Sequence, residues 1–221
     1  MTAPPADPAR VDLEFLLAEA AADLSDAWPL GSAEQVRDGL EAALPELVSL
    51  YGPAAGSLAA DWYDESRDAA QVGSRFLAVV ANLPDMGAIK ALAGWGVGPL
   101  FQAAPDVAAA RSQVEGGLQK IVGDIHRGTV IESLKADPEA KGWSRQTTGK
   151  SCTFCVMIAG RGTVYSARTA NFSSHNYCDC IAVPLWGPPV GVVPYVPSQK
   201  FRSDGARAEN NARLREYLRS N

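Results

Sequence analysis

Cysteine is scarce and confined: the 221-residue chain has four, all between positions 152 and 180. Histidine is scarcer, with two, His126 and His175. No apolar run approaches the ~20 residues that a membrane-spanning helix needs, and Ala-rich stretches such as 18–22 are interrupted by acidic residues. Near the cysteines the sequence offers Asp179 but no pair of carboxylates, so a zinc- or thiol-dependent enzyme, one reading of the cysteines, is short of a poised acid or base. Gly94, Gly96 and Gly98 are spaced G-x-G-x-G, with no strand before them and no Lys-Ser/Thr after, which excludes a phosphate-binding loop. The deaminase pattern H-x-E…P-C-x-x-C is also missing: His126 is followed by Arg-Gly, and Lys150-Ser151 precede Cys152. The opening MTAPPADPARVDLEF has no basic segment followed by an apolar core and cleavage site. A reducing compartment is therefore expected, with no membrane association.

Against these absences stands one dense cluster. Cys152-x-x-Cys155 and Cys178-x-Cys180, with His175 just ahead of the second pair, place five metal-ligating side chains within 29 residues. Zinc takes four such groups in a tetrahedron, with sulfur at ~2.3 Å and imidazole nitrogen at ~2.0–2.1 Å. A C-x-x-C turn presents two sulfurs to one point, and a C-x-C on extended chain puts both on one face, because strand side chains repeat every two residues. One structural zinc per chain is the expectation, with Cys152, Cys155, His175, Cys178 and Cys180 competing for four positions. Two disulfides, in any of three pairings, are the alternative in an oxidising compartment. A catalytic zinc would keep an open position.

The same stretch carries a resemblance. Cys152-x-Phe154-Cys155, an apolar run into Arg161-Gly162-x-Val164-Tyr165, then His175-x-x-Cys178-Asp179-Cys180 and Ile181-Ala182-Val183-Pro184-Leu185-Trp186 resemble the C-terminal module of phage minor head proteins of the Mu F-like (head morphogenesis) type. The likeness is to the versions found in phages of actinobacteria. Ala136-Asp137-Pro138-x-Ala140-x-Gly142-Trp143-x-Arg145 fits the same group. It spans roughly residues 105–187, and the N-terminal helices share only its general character. The resemblance implies a virion protein present in a few copies, associated with the portal or the inner face of the major capsid shell. It further implies a part in head assembly and DNA packaging or ejection. No catalytic residue is carried over, and no enzymatic activity is expected.

Charge is uneven. Residues 1–70 hold 14 acidic and 3 basic residues, a net of −11, whereas residues 71–221 hold 11 acidic and 17 basic, a net of +6. A solvated helical surface accounts for this; a basic half lying near packaged double-stranded DNA is the functional reading. A zinc module binding nucleic acid is a further alternative, built on Lys150, Arg145, Arg161 and Arg168 with Phe154, Tyr165 and Tyr177.

The fold expected is mainly α. A helical body occupies residues 1–135, a small α+β zinc-binding module 136–186, and an extended Pro-rich linker with a basic tail 187–221. Leu13, Leu16, Leu17, Ala20, Leu24 and Trp28 mark the first helix. Ser32 caps the second, along Val36, Leu40, Leu44, Leu47 and Tyr51; Pro45 should kink or split it. Gly52-Pro53 should open a third helix to about position 70. A fourth is expected from 74 to a loop at Pro84, then a short Gly-rich helix over 89–101. The longest helix is expected from Pro105-Asp106 to Asp137-Pro138. Beside its apolar stripe, His126 reads as a surface or hydrogen-bonded residue rather than a ligand. Short strands are expected at 163–165 and 180–185. The linker 187–197 has four prolines in eleven residues, which prevents a helix and suits an extended chain.

Overall fold

The computed structural model describes residues 7–147, 152–160, 162, 165–166, 172 and 174–187. Beyond Gly187 the expected linker and basic tail lie outside the described residues. The described chain is mainly helical: α1 (Asp7–Asp26), α2 (Ala33–Ala69), α3 (Met86–Gly96), a 3-10 turn (Gly98–Phe101) and α4 (Val107–Ala136) precede β1 (Gly142–Gln146), α5 (Thr153–Ala159), β2 (Tyr165–Ser166) and β3 (Ile181–Leu185). The caps follow the sequence. Ser32 and Gln35 make a reciprocal capping box on α2, and Asp106 accepts a bond from the Ala109 amide at 2.9 Å.

One helix replaces the two expected between Ser32 and position 70. α2 runs for 37 residues through both Pro45 and Pro53. Each proline forfeits one backbone bond, at a cost of about 3 kcal/mol, but the buried stripe from Val36 through Leu40, Leu44, Val48, Ala55, Ala59 and Tyr63 continues without a break. Gly52 is used for close approach, not as a helix stop. A Cβ there would lie 2.6 Å from Leu83 Cδ2 and 2.9 Å from Ile125 Cδ1. α2 is consequently longer than α4, the helix expected to be longest.

No helix forms over 72–85. This segment is a strap laid along the groove between α2 and α4, and its backbone polar groups are satisfied by side chains. The Ala78 amide donates to Asp64 at 3.0 Å, Val79 to Ser133 Oγ at 2.8 Å and Ala81 to Thr129 Oγ1 at 3.0 Å. Side-chain partners competing with the helical ladder explain why a helix-compatible sequence stays extended.

β1 is the centre of a three-stranded antiparallel sheet ordered β2-β1-β3. Trp143 pairs with Tyr165 on one side and Pro184 on the other; Pro184 is tolerated because β3 is an edge strand. The strand expected at 180–185 corresponds to β3, and β2 shares Tyr165 with the one expected at 163–165, whose first two positions lie outside the described residues; β1 is not among the expected strands. Trp143, Ile181, Ala182 and Val183 belong to the same buried cluster as the four long helices' apolar faces. No described helix is long and apolar enough to cross a membrane.

Asp137 ties sheet to helices. It caps the end of α4 and accepts from Arg67 Nε at 2.9 Å, Tyr63 OH at 3.2 Å, Trp186 Nε1 at 3.0 Å and the Glu139 amide at 3.0 Å. The Arg67–Asp137 pair is 4% and 0% exposed. Burial alone would raise the carboxyl's pKa; the bonds from Arg67, Trp186 and the Glu139 amide outweigh it and hold the group below its ordinary value. Asp137→Ala should cost about 3–5 kcal/mol in urea unfolding, because it strands a buried guanidinium. The sign follows from the lowered pKa: the contribution is complete above the unfolded pKa of ~3.9 and is lost as pH falls below it.

His126 differs from its expected setting. It is fully buried, and neither ring nitrogen has a hydrogen-bond partner among the described residues. Burial, reinforced by neighbouring Arg127, lowers its pKa to about 3. The unfolded chain takes up this proton below ~6.5 while the folded chain does not. Acidification from there should therefore cost wild type about 1.4 kcal/mol per pH unit relative to His126→Leu. Denaturation midpoints of both proteins between pH 7 and pH 4.5 check this; a constant difference across that range contradicts it.

Candidate metal centre

Cys152 sits at the N-cap of α5 and Cys155 in its first turn. Residues three apart on a helix start share one side, so the C-x-x-C pair faces a single point. Cys178 and Cys180 lie on the extended chain entering β3, with their sulfurs 3.2 Å apart on one face. Cys155 Sγ lies 3.2 Å from Cys178 Sγ and 3.5 Å from Cys180 Sγ. Cys152 Sγ is 3.5 Å from His175 Nδ1. Of the five residues singled out in the sequence, Cys180 thus adjoins Cys155 and Cys178, and His175 adjoins Cys152. The sulfurs of Cys152, Cys155 and Cys178 lie within 4.8 Å of one another and could hold a metal ion.

The sulfur separations are longer than a disulfide bond and leave room for a metal ion. A disulfide brings sulfurs to ~2.05 Å; all four cysteines here are free. A regular tetrahedron with ~2.3 Å bonds has sulfurs ~3.8 Å apart; the triangle of Cys155, Cys178 and Cys180 is somewhat tighter, at 3.2–3.5 Å. Cys155 and Cys180 are fully buried and Cys178 nearly so, while Cys152 is half-buried and His175 exposed. Such crowding divides the thiols' acidity. Hydrogen bonding to Cys178 and then Cys180 pushes the Cys155 thiol up, and the same bond from Cys155 pushes Cys178 down.

Two buried arginines border the cluster. From β1, Arg145 Nη1 donates to Cys155 Sγ at 3.3 Å and Cys180 Sγ at 3.1 Å, with its guanidinium 3.8 Å over the Phe172 ring. From α4, Arg127 Nε donates to the Cys180 carbonyl at 2.7 Å, and its Nη2 donates to the Cys178 carbonyl. α4 holds the chain just ahead of the second pair as well. Ser174 Oγ donates to Asp124 at 2.5 Å, and Tyr177 packs over Gly116 while donating to the Ser112 carbonyl. Tyr177 takes a left-handed φ of 58° to do so. Sequence reasoning found none of these supports. The sequence reading places Arg145 in a basic aromatic patch for nucleic acid; at 4% exposure it faces the sulfurs instead. Its partners there, Lys150, Arg161 and Arg168, lie outside the described residues.

With this geometry in place, comparison with known families is informative: residues 7–199 match the family described as VG15 protein. The chain belongs to the VG15 protein family. That family is phage-associated, and the match takes in helices α1 to α4 as well as the sheet and the cysteines. No curated protein and no solved structure matches the chain.

For this VG15 member, the supports generate a direct expectation. Arg127→Met should leave two buried carbonyls unpaired, each costing about 1–3 kcal/mol. Hydrogen exchange should accelerate at residues 174–180 more than in α2. Equal protection in variant and wild type would contradict the role assigned to Arg127.

Proposed function

We propose that the chain is a structural minor head protein of a tailed phage, of the Mu F-like type, with one structural zinc ion per chain. Two features support the phage role: membership of a phage-associated family, and the joint motif from Ala136 through Trp186. The observation that carries the zinc reading is the burial of the sulfur cluster, walled by Arg145 and Phe172. A structural zinc site is closed, whereas a catalytic one keeps a position for water or substrate. The function is therefore architectural and not enzymatic. A sheet of short strands and a seven-residue α5 bury little surface of their own, and zinc binding supplies about 10–16 kcal/mol of folding free energy in comparable peptides. The ion fastens α5 to the C-x-C chain that α4 already holds.

In this reading the protein resides in the virion, at the portal or the inner capsid surface. It assists head assembly, DNA packaging or ejection. Portal and major capsid subunits are its partners, and packaged DNA is a further contact for the basic half. Two cations of that half, Arg127 and Arg145, are buried and do not contribute.

Two measurements check the proposal. Protein purified under reducing conditions should hold about one equivalent of zinc by elemental analysis, and Cys155→Ser should lose it. Purified phage heads should contain the chain by mass spectrometry, and heads assembled with Cys155→Ser should contain much less. Heads that lack the wild-type chain would remove the virion assignment.

A further inference from the structure

Five candidate ligands for four positions leave one side chain outside, and a buried cation beside thiols calls for an explanation. We propose that the first shell is Cys152, Cys155, Cys178 and Cys180, that His175 stays outside it, and that Arg145 is the built-in counter-charge selecting a four-thiolate site. This rests on the zinc reading above and deepens it.

The geometry points to Cys180 over His175. Cys155, Cys178 and Cys180 form a nearly equilateral triangle, with edges of 3.2, 3.2 and 3.5 Å. That is one face of a compressed sulfur tetrahedron; Cys152 lies within 4.8 Å of Cys155 and Cys178 and is the apex that would close toward Cys180 on metal binding. His175 is exposed. Its Nδ1 lies 3.5 Å from Cys152 Sγ, and the Phe154 ring stands edge-on to it at 5.2 Å. It is placed to contact the apex sulfur from outside, the position of an outer partner that orients a ligand.

Charge supplies the second argument. Four thiolates and one divalent ion leave a net of −2, and three thiolates with one imidazole leave −1. Arg145 is placed for the larger deficit. Its Nη1 bridges Cys155 and Cys180, one sulfur from each half of the site. It therefore stabilises the pair of ligands that the metal must hold together. Hydrogen bonds from a cation to an anionic acceptor are roughly twice as strong as neutral ones. The same donor does less for a neutral thiol, so Arg145 favours the metal-bound state over the empty one. Arg127 serves the site differently: it fixes the carbonyls of Cys178 and Cys180 while paired with Asp124 at 3.1 Å.

The test uses the full chain, reduced, with zinc or cobalt(II) as the only added metal. Thiolate-to-cobalt charge-transfer absorption scales with the number of cobalt–sulfur bonds. Cys180→Ser should lose one bond's share of that absorption, and His175→Asn none. Arg145→Met should weaken zinc binding by about 10–100-fold in competition with a chromophoric chelator, the range for changes to outer partners of metal ligands. Arg145→Lys, which keeps the charge, should recover most of the loss. Loss of the band in His175→Asn comparable to that in Cys180→Ser overturns the assignment, as does zinc binding by Arg145→Met equal to wild type. If Arg145→Met does not fold, the Cys180→Ser and His175→Asn spectra decide by themselves. Wild-type protein that takes up no metal removes the zinc reading and this inference together; tight wild-type binding with either contrary variant result removes this inference alone.

Discussion

Sulfur atoms held 3.2–3.5 Å apart in a buried site constrain everything around them. As thiols they crowd one another and share protons. As thiolates they repel, and a low-dielectric setting magnifies the repulsion. A divalent ion would convert that conflict into cohesion. Around this point the chain arranges a helix start on one side, an extended C-x-C on the other, and a guanidinium bridging the two.

α4 is the element that lets a small module do this. Ser112, Gly116, Asp124 and Arg127 hold the chain from Ser174 to Cys180. Thr129 and Ser133, on a second face, hold the strap over 72–85. Asp137 at its end gathers Tyr63, Arg67 and Trp186. A single helix thus positions the stretch that carries three of the five candidate ligands, His175, Cys178 and Cys180. The other two, Cys152 and Cys155, sit at the start of α5, a helix too short to be stable alone, which packs on β1. The zinc proposed here would join the well-supported stretch to the poorly supported one.

How much of this could be read in the sequence depended on whether the signal was local. The candidate ligands were legible because cysteine is otherwise absent and its spacing carries geometry. Helix caps at Ser32 and Asp106 were legible for the same reason. The strap was not, because the groups that keep it extended are Asp64, Thr129 and Ser133, up to 54 positions away. β1 was hidden because Arg145 occupies an inward position beside Trp143, so the alternation expected of a strand is broken by a charge. The continuity of α2 was hidden because Gly52-Pro53 reads as punctuation, whereas its glycine makes room for Leu83 and Ile125. His126 was misplaced because burial without hydrogen bonds is the exception for a polar ring.

The central proposal is that this phage-associated chain holds a sulfur-bound zinc at the cysteines that could bind a metal ion. X-ray absorption at the zinc edge, on full-length protein purified under reducing conditions, tests that claim most directly. The account predicts a single shell of sulfur scatterers at ~2.3 Å, with no oxygen or nitrogen shell of comparable weight near ~2.0–2.1 Å. A spectrum dominated by nitrogen and oxygen, or protein with no zinc edge at all, would contradict it.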